Sequence, residues 1–281
     1  MQFYTKKYKE FSSLDWDKKI DLIDGATNLH SSTVINYFCA FDKKIINKSF
    51  LVYDEKKDFV AAVSIAISKK NKKNILSFGN NLCPTPAIKD VNEKKRRKIL
   101  LFVWNEIDLL IKKFSIRKIK MMQNPICNLS MKKKCINTKN VYENLKYSNF
   151  VDVLNTFIVD LKEQDQQLFE NLSKTRKKEI SRAIKSNIKV KSIKDQNIKE
   201  IKKEMKNFRL SHLYSAKKVT RPLSTWKIMN DNLINKNCNL FVAYIKDTPI
   251  SYLYCGEFNK MAWGWSQSNT KKIEKKDSVR H

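Results

Sequence analysis

The sequence predicts an α/β chain of mostly antiparallel sheets flanked by helices, with one plan used twice. Three observations predict it. Apolar residues make up 42% of the 281 positions and aromatics 11%, while Gly (four) and Pro (five) are scarce, so the chain buries a core and is neither disordered nor fibrous. Apolar strand-like runs alternate with segments of 3.6-residue periodicity. The order of elements then begins again after Leu161.

In chain order, Trp16 to Ile23 and Ser31 to Phe41 read as helices, with Ser31 or Ser32 as N-cap of the second. Phe50 to Tyr53 and Phe59 to Ile67 read as strands joined by the polar turn Asp54 to Lys57, and Val60 to Ile67 is apolar enough to be covered on both faces. Asn74 to Phe78 is a third strand. The loop Gly79 to Asp90 follows, holding two of the five prolines. The strongest helix is Glu93 to Phe114, with Leu100, Val103, Trp104, Ile107, Leu110 and Ile111 on helical spacing. Ile116 to Met122 is a strand, Val141 to Tyr147 a short helix and Phe150 to Leu161 a long strand. The second round opens with a helix from Gln166 to Ser186, with a break near Leu172, and a strand from Ile188 to Ile193. Helices Ile198 to Ser215 and Ser224 to Leu233 follow, the latter capped by Ser224. Strands Asn239 to Ile245, Pro249 to Phe258 and Met261 to Ser266 complete it. The expected domains are 1–161 and 162–281, the second incomplete at its C-terminal end because the first continues past its meander with a long helix.

The formal charge is +29, which suggests nucleic acid or an anionic surface. Only eight of the 57 cations are Arg, however, and a chain this rich in Lys, Asn and Ile is also what an AT-rich genome produces. On the second view, reversing Lys202 and Lys206 on the outer face of Ile198 to Ser215 leaves folding and activity nearly unchanged. The six cysteines form no CxxC pair, and with three scattered histidines no zinc spacing arises, so no metal site is expected. They read as small buried hydrophobes of a reducing compartment. No apolar signal segment and no run of ~18 apolar residues occurs, so a cytoplasmic protein without a membrane span is expected.

Leu172 to Val190 organises the second half. Leu172, Ile180, Ala183 and Ile184 fall on one side of a helical wheel and Lys174, Lys178, Arg182 and Lys185 on the other. Arg176 breaks the split, lying on the apolar side, where a guanidinium must snorkel, pair with a carboxylate or meet an anionic ligand. In Ile198 to Ser215 the stripe Ile198, Ile201, Met205 and Phe208 runs on into His212, with Arg209 at its margin. Pro222 restricts Arg221 to extended backbone and so sets where that side chain departs.

The segment TRKKEISRA, after NTFIVDL (Asn155 to Leu161), resembles the entry to the second acyltransferase domain of FemAB-like proteins. It is similar as well to acetyltransferase-like domains of polysaccharide-biosynthesis proteins. SAKKVTRPLSTW (Ser215 to Trp226) and the hairpin segment Leu240 to Asn269 extend the likeness. The resemblance implies tandem GNAT-like domains and an acyl or aminoacyl transferase acting on an amine of a cell-envelope or surface-polysaccharide precursor. The acceptor would be a nucleotide- or lipid-linked sugar or a muropeptide. No cofactor would be held permanently, and the donor would be acyl-CoA or aminoacyl-tRNA. GNAT enzymes hold coenzyme A at a Gly-rich turn that neither Gly79 to Pro84 nor Ser268 to Lys272 supplies, which leans toward the tRNA donor. His212 is the candidate base or orienting group. Arg176, Arg209 and Arg221 are candidates for binding phosphate or carboxylate, Tyr214 and Trp226 for pocket walls or core, and Tyr254 and Trp263 for an acyl channel. No acidic residue stands out as a base. The alternative reading is a basic RNA- or tRNA-binding protein, or a scaffold of the same fold, without catalysis.

Overall fold

A computed structural model describes residues 2–122 and 159–270. The chain divides into two compact units, Met1–Leu154 with Phe258–Met261 and Asn155–Glu257 with Ala262–His281. The expected helix Val141 to Tyr147 and most of the expected strand Phe150 to Leu161 lie outside the described residues.

The first unit opens with strand β1 (Phe3–Lys7), helices α1 (Ser13–Ile20) and α2 (Ser32–Phe41), and the short strand β2 (Ile46–Asn47). Ser12 and Ser31 cap the two helices, each accepting a backbone N–H in the first turn. Strands β3 (Phe50–Asp54), β4 (Phe59–Val63), β5 (Ala66–Lys70), β6 (Lys73–Leu76), β7 (Cys83–Pro84) and β8 (Ala87–Ile88) follow, then α3 (Glu93–Phe114), β9 (Ile116–Ile119) and β10 (Met121–Met122). One sheet has the order β1-β3-β4-β8 and a second β2-β5-β6-β9, with β7 and β10 paired beside them. Pairing is antiparallel apart from β6 with β9 and β7 with β10.

The single strand expected from Phe59 to Ile67 is two strands in two sheets. The break falls at Ser64 and Ile65. There the Ile65 N–H donates to Ser49 Oγ, while its carbonyl accepts from Ser49 Oγ and from the Lys48 N–H, so side chain and loop replace the ladder. Every residue of β3 and β4 is buried, as double coverage requires. At the β3–β4 turn the buried Asp54 accepts from the N–H groups of Lys56 and Asp58 and from Lys95 Nζ at 2.8 Å, which ties α3 to the sheet. Lys95 holds its carboxyl below the usual range.

The second unit runs α4 (Asp165–Glu170), α5 (Lys174–Lys185), β11 (Ile188–Ser192), α6 (Ile198–Ala216), α7 (Leu223–Ile234), β12 (Cys238–Ile245), β13 (Thr248–Phe258) and β14 (Met261–Asn269). The expected break near Leu172 is present, and Ser173 caps α5. The expected Ser224 cap is not. Pro222 holds the cap position with extended backbone, and the Thr225 hydroxyl donates back to its carbonyl. The sheet order is β11-β12-β13-β14.

One face of this sheet is covered by α6 and α7. Leu240, Val242, Ile250, Tyr252 and Tyr254 alternate onto it and meet Ile201, Met205, Phe208, Trp226, Met229 and Leu233. Helix α5 has no buried residue, and its expected core stripe is exposed (Ile180 39%, Ile184 68%). Gly256 is required where the Trp263 indole crosses the hairpin, because a Cβ there would meet that ring at 2.2 Å.

Candidate functional site

The core of the second unit turns polar at one end. On β14 the residues that alternate inward are Ser266 and Ser268, and Ser268 Oγ donates to Ser211 Oγ of α6 at 3.0 Å. Beside them stand His212, one position further along α6, and Arg221, delivered by the α6–α7 turn. That turn begins with Lys217 in the left-handed region (φ 55°) and ends on Pro222.

Arg221 is the hub. Its Nη2 donates to Ser266 Oγ at 3.0 Å and lies 3.1 Å from His212 Nε2. Its Nη1 approaches Met229 Sδ at 3.4 Å, and the guanidinium sits 5.0 Å from the centroid of the Trp226 ring. Every partner is neutral, and no carboxylate pairs with Arg221 among the described residues. Because an arginine only donates, His212 Nε2 accepts, the ring proton is on Nδ1, and Nδ1 donates to Thr220 Oγ1 at 3.3 Å. Burial, and then the neighbouring Arg221 charge, hold the His212 pKa below its ordinary value, so the ring is neutral at neutral pH. Trp226 and Phe208 pack edge-on to the imidazole.

Trp226 also walls a shallow groove of about 330 Å³ between α6 and α7. Its apolar lining is Met205, Leu223 and Trp226, and its rim carries Lys202, Lys206, Arg209, Lys227 and Asn230. Lys202, Lys206 and Arg209 share a helix face at i, i+4 and i+7. No acidic residue lines the groove, and its four cations form no ion pair among the described residues.

The structure thus brings together His212, Arg221 and Trp226, with Arg209 on the groove that shares Trp226. Other expected site residues lie elsewhere. Arg176 pairs with Glu179 within the exposed α5, where its place on the apolar side costs nothing because that side is not buried. Tyr214 is 57% exposed on α6. Tyr254 is fully buried, and its hydroxyl donates to the Met229 carbonyl, a core position and not a channel wall. Trp263 packs on Gly256 and Trp265. Ser266 was not singled out in the sequence. Neither was Glu204, a carboxylate only 3% exposed that accepts from the Tyr252 hydroxyl. Glu204 lies three residues after Ile201 and four before Phe208, so the α6 stripe itself marked it as inward-facing. Glu257 forms an ion pair with Lys194.

No family model matches the sequence, and no curated protein matches it by sequence. Solved structures do match by shape. The crystal structure of FemX superposes with a TM-score of 0.64 at 10% identity, covering 97% of this chain and 81% of that one. A conserved protein of unknown function from Bacteroides thetaiotaomicron gives a TM-score of 0.53 at 9% identity, covering 97% and 82%. At these identities the likeness is one of fold. At the level of architecture, the chain has a FemX-like α/β fold.

Proposed function

We propose that the chain is an acyl or aminoacyl transferase whose second unit holds an anionic group of donor or acceptor on Arg221. The observation that carries this is a half-buried guanidinium whose partners among the described residues are all neutral: a hydroxyl, an imidazole nitrogen, a thioether and an indole face. An arginine so placed keeps its charge for a ligand, and a phosphate or carboxylate suits its fork. The adjacent groove adds four cations without an ion pair among the described residues, and an apolar wall for the rest of such a molecule.

The same geometry gives His212 a conditional role. While Arg221 donates to Nε2, that lone pair is engaged. An anion that draws the guanidinium toward itself frees Nε2, and its charge favours the imidazolium. His212 can then take a proton from the acceptor amine as its nitrogen bonds to the acyl carbon and the ester or thioester bond breaks. Acyl-CoA and aminoacyl-tRNA both supply phosphate. The acceptor is then an amine of an envelope precursor, as the resemblance of TRKKEISRA and SAKKVTRPLSTW implies.

The test is mass detection of acylated product when the protein is offered each donor with pools of nucleotide sugars and muropeptides. Arg221→Lys keeps the charge and loses the fork, so kcat/KM should fall about 10- to 100-fold with the melting temperature nearly unchanged. Full activity in that variant would remove Arg221 from the site. The RNA-binding reading is favoured by the groove cations alone. It predicts RNA affinity that falls steeply with salt, with no product from any donor.

A further inference from the structure

Helix α5 and strand β11 are a part of the second unit that the proposed site does not use. The twelve residues of α5 carry six cations (Lys174, Arg176, Lys177, Lys178, Arg182 and Lys185) against one carboxylate, Glu179. Over the whole chain the ratio is only 57 to 28, so a chain-wide preference for lysine does not account for this helix. Only Arg176 among the six is ion-paired within the described residues.

The apolar side of the helix is as unusual as its charge. Ile180 and Ile184 lie one turn apart and remain 39% and 68% exposed. At ~100° per residue they form a stripe that Arg176 and Lys177 bracket from opposite sides, each about 40–60° from Ile180. The next element, β11, lies at the sheet edge, and there Val190, 64% exposed, stands between Lys189 and Lys191.

We infer that α5, with β11 beside it, is a docking surface for an anionic lipid bilayer, with Ile180 and Ile184 entering the headgroup region and the flanking cations meeting lipid phosphates. This is the composition of an interfacial helix: low net hydrophobicity, a large separation of faces and Lys and Arg around a narrow apolar stripe. The long Lys and Arg stems lie along the apolar surface and keep their charges at headgroup level. Attraction to an anionic leaflet adds to this with each cation close to it. Nucleic acid also fits the charge, but the described surface of α5 has no aromatic residue on which a base stacks, and exposed isoleucines gain nothing from phosphate. The inference stands independently of the transferase reading.

The experiment is co-sedimentation of the full chain with phosphatidylcholine vesicles containing one quarter phosphatidylglycerol, beside pure phosphatidylcholine vesicles and polyuridylate. The expected result is partition into the anionic vesicles only. Ile180→Ser with Ile184→Ser should lower that partition about tenfold or more while leaving the melting temperature unchanged, since both side chains are exposed. Ile184→Trp should show a blue shift of its added fluorescence on anionic vesicles. No partition, or partition that the paired serine variant leaves intact, overturns the inference. So does an added emission in the Ile184→Trp variant that stays put while Lys174→Glu with Lys178→Glu abolishes polyuridylate binding, an outcome that assigns the helix to RNA.

Discussion

Two histidines with lowered pKa values do different work, and the difference lies in what surrounds each ring. His30 is buried in the first unit. Its Nε2 donates to the Thr85 carbonyl, Nδ1 accepts from the Thr27 N–H, and both nitrogens are used by fixed structure. Burial brings its pKa down to about 4. The neutral ring therefore stabilises the fold fully above the unfolded value near 6.5, and this contribution is lost as pH falls through 6.5 toward 4. From the size of the shift, about 3 kcal/mol is at stake. Urea unfolding of the protein and of His30→Gln should show stabilities that converge as pH drops from ~7 to ~4, because only the native histidine gains a proton on unfolding. Parallel pH profiles would contradict the assignment. His212 differs because its partner at Nε2 is a cation that an anion can draw away and its ring is only half-buried, so a ligand can change what it binds.

Among the elements, α3 shows how much local chemistry and burial agree. Asn92 caps it with a bond from the Lys95 N–H at 2.9 Å, Glu93 lies in the first turn and Lys112 and Lys113 in the last, and Ser115 in the left-handed region ends it. Ile99, Leu100, Val103, Trp104 and Ile107 are its buried face. Asn92→Ala should cost about 1 kcal/mol by urea unfolding, and Asn92→Ser or Asn92→Asp far less. A loss of several kcal/mol would mean that the Asp54–Lys95 tie depends on the cap. Helix α5 is the contrast. Its pattern is as amphipathic as that of α3, yet it buries nothing, because a periodic stripe records only that a face is apolar, and the space left on the sheet decides whether that face is covered.

Across the molecule, the +29 charge has more than one origin. Much of it is dispersed lysine, but the groove of the second unit gathers Lys202, Lys206, Arg209 and Lys227 with no carboxylate among the described residues that line it. The sequence view that Lys202 and Lys206 are dispensable divides into two parts here. Lys202→Glu with Lys206→Glu should change stability by no more than about 0.5 kcal/mol per site, since both are exposed. The same pair should weaken binding of a pyrophosphate-bearing nucleotide and flatten its dependence on salt. Calorimetric titration at two salt concentrations checks both halves. Unchanged affinity with unchanged stability would return these lysines to mere composition.

Periodicity by itself determined the long helices and the meander of the second unit, because a stripe of apolar residues costs free energy unless it is covered. It determined α3 to the residue, and with a proline beside it Arg221 was marked from the sequence alone. What only tertiary structure decided are the partners. The break of Val60 to Ile67 into two sheets depends on the hydroxyl of Ser49, 16 residues from Ile65 along the chain. The meeting of Arg221 with Ser266 joins positions 45 residues apart, and no local pattern encodes it. Glu204 was legible in its helix but became a buried carboxylate only where Tyr252 met it, and Arg176, chosen for interrupting a stripe, stands on a helix that buries no residue. Sequence patterns state which surfaces want burial, and what the tertiary structure sets against them decides which of them obtain it.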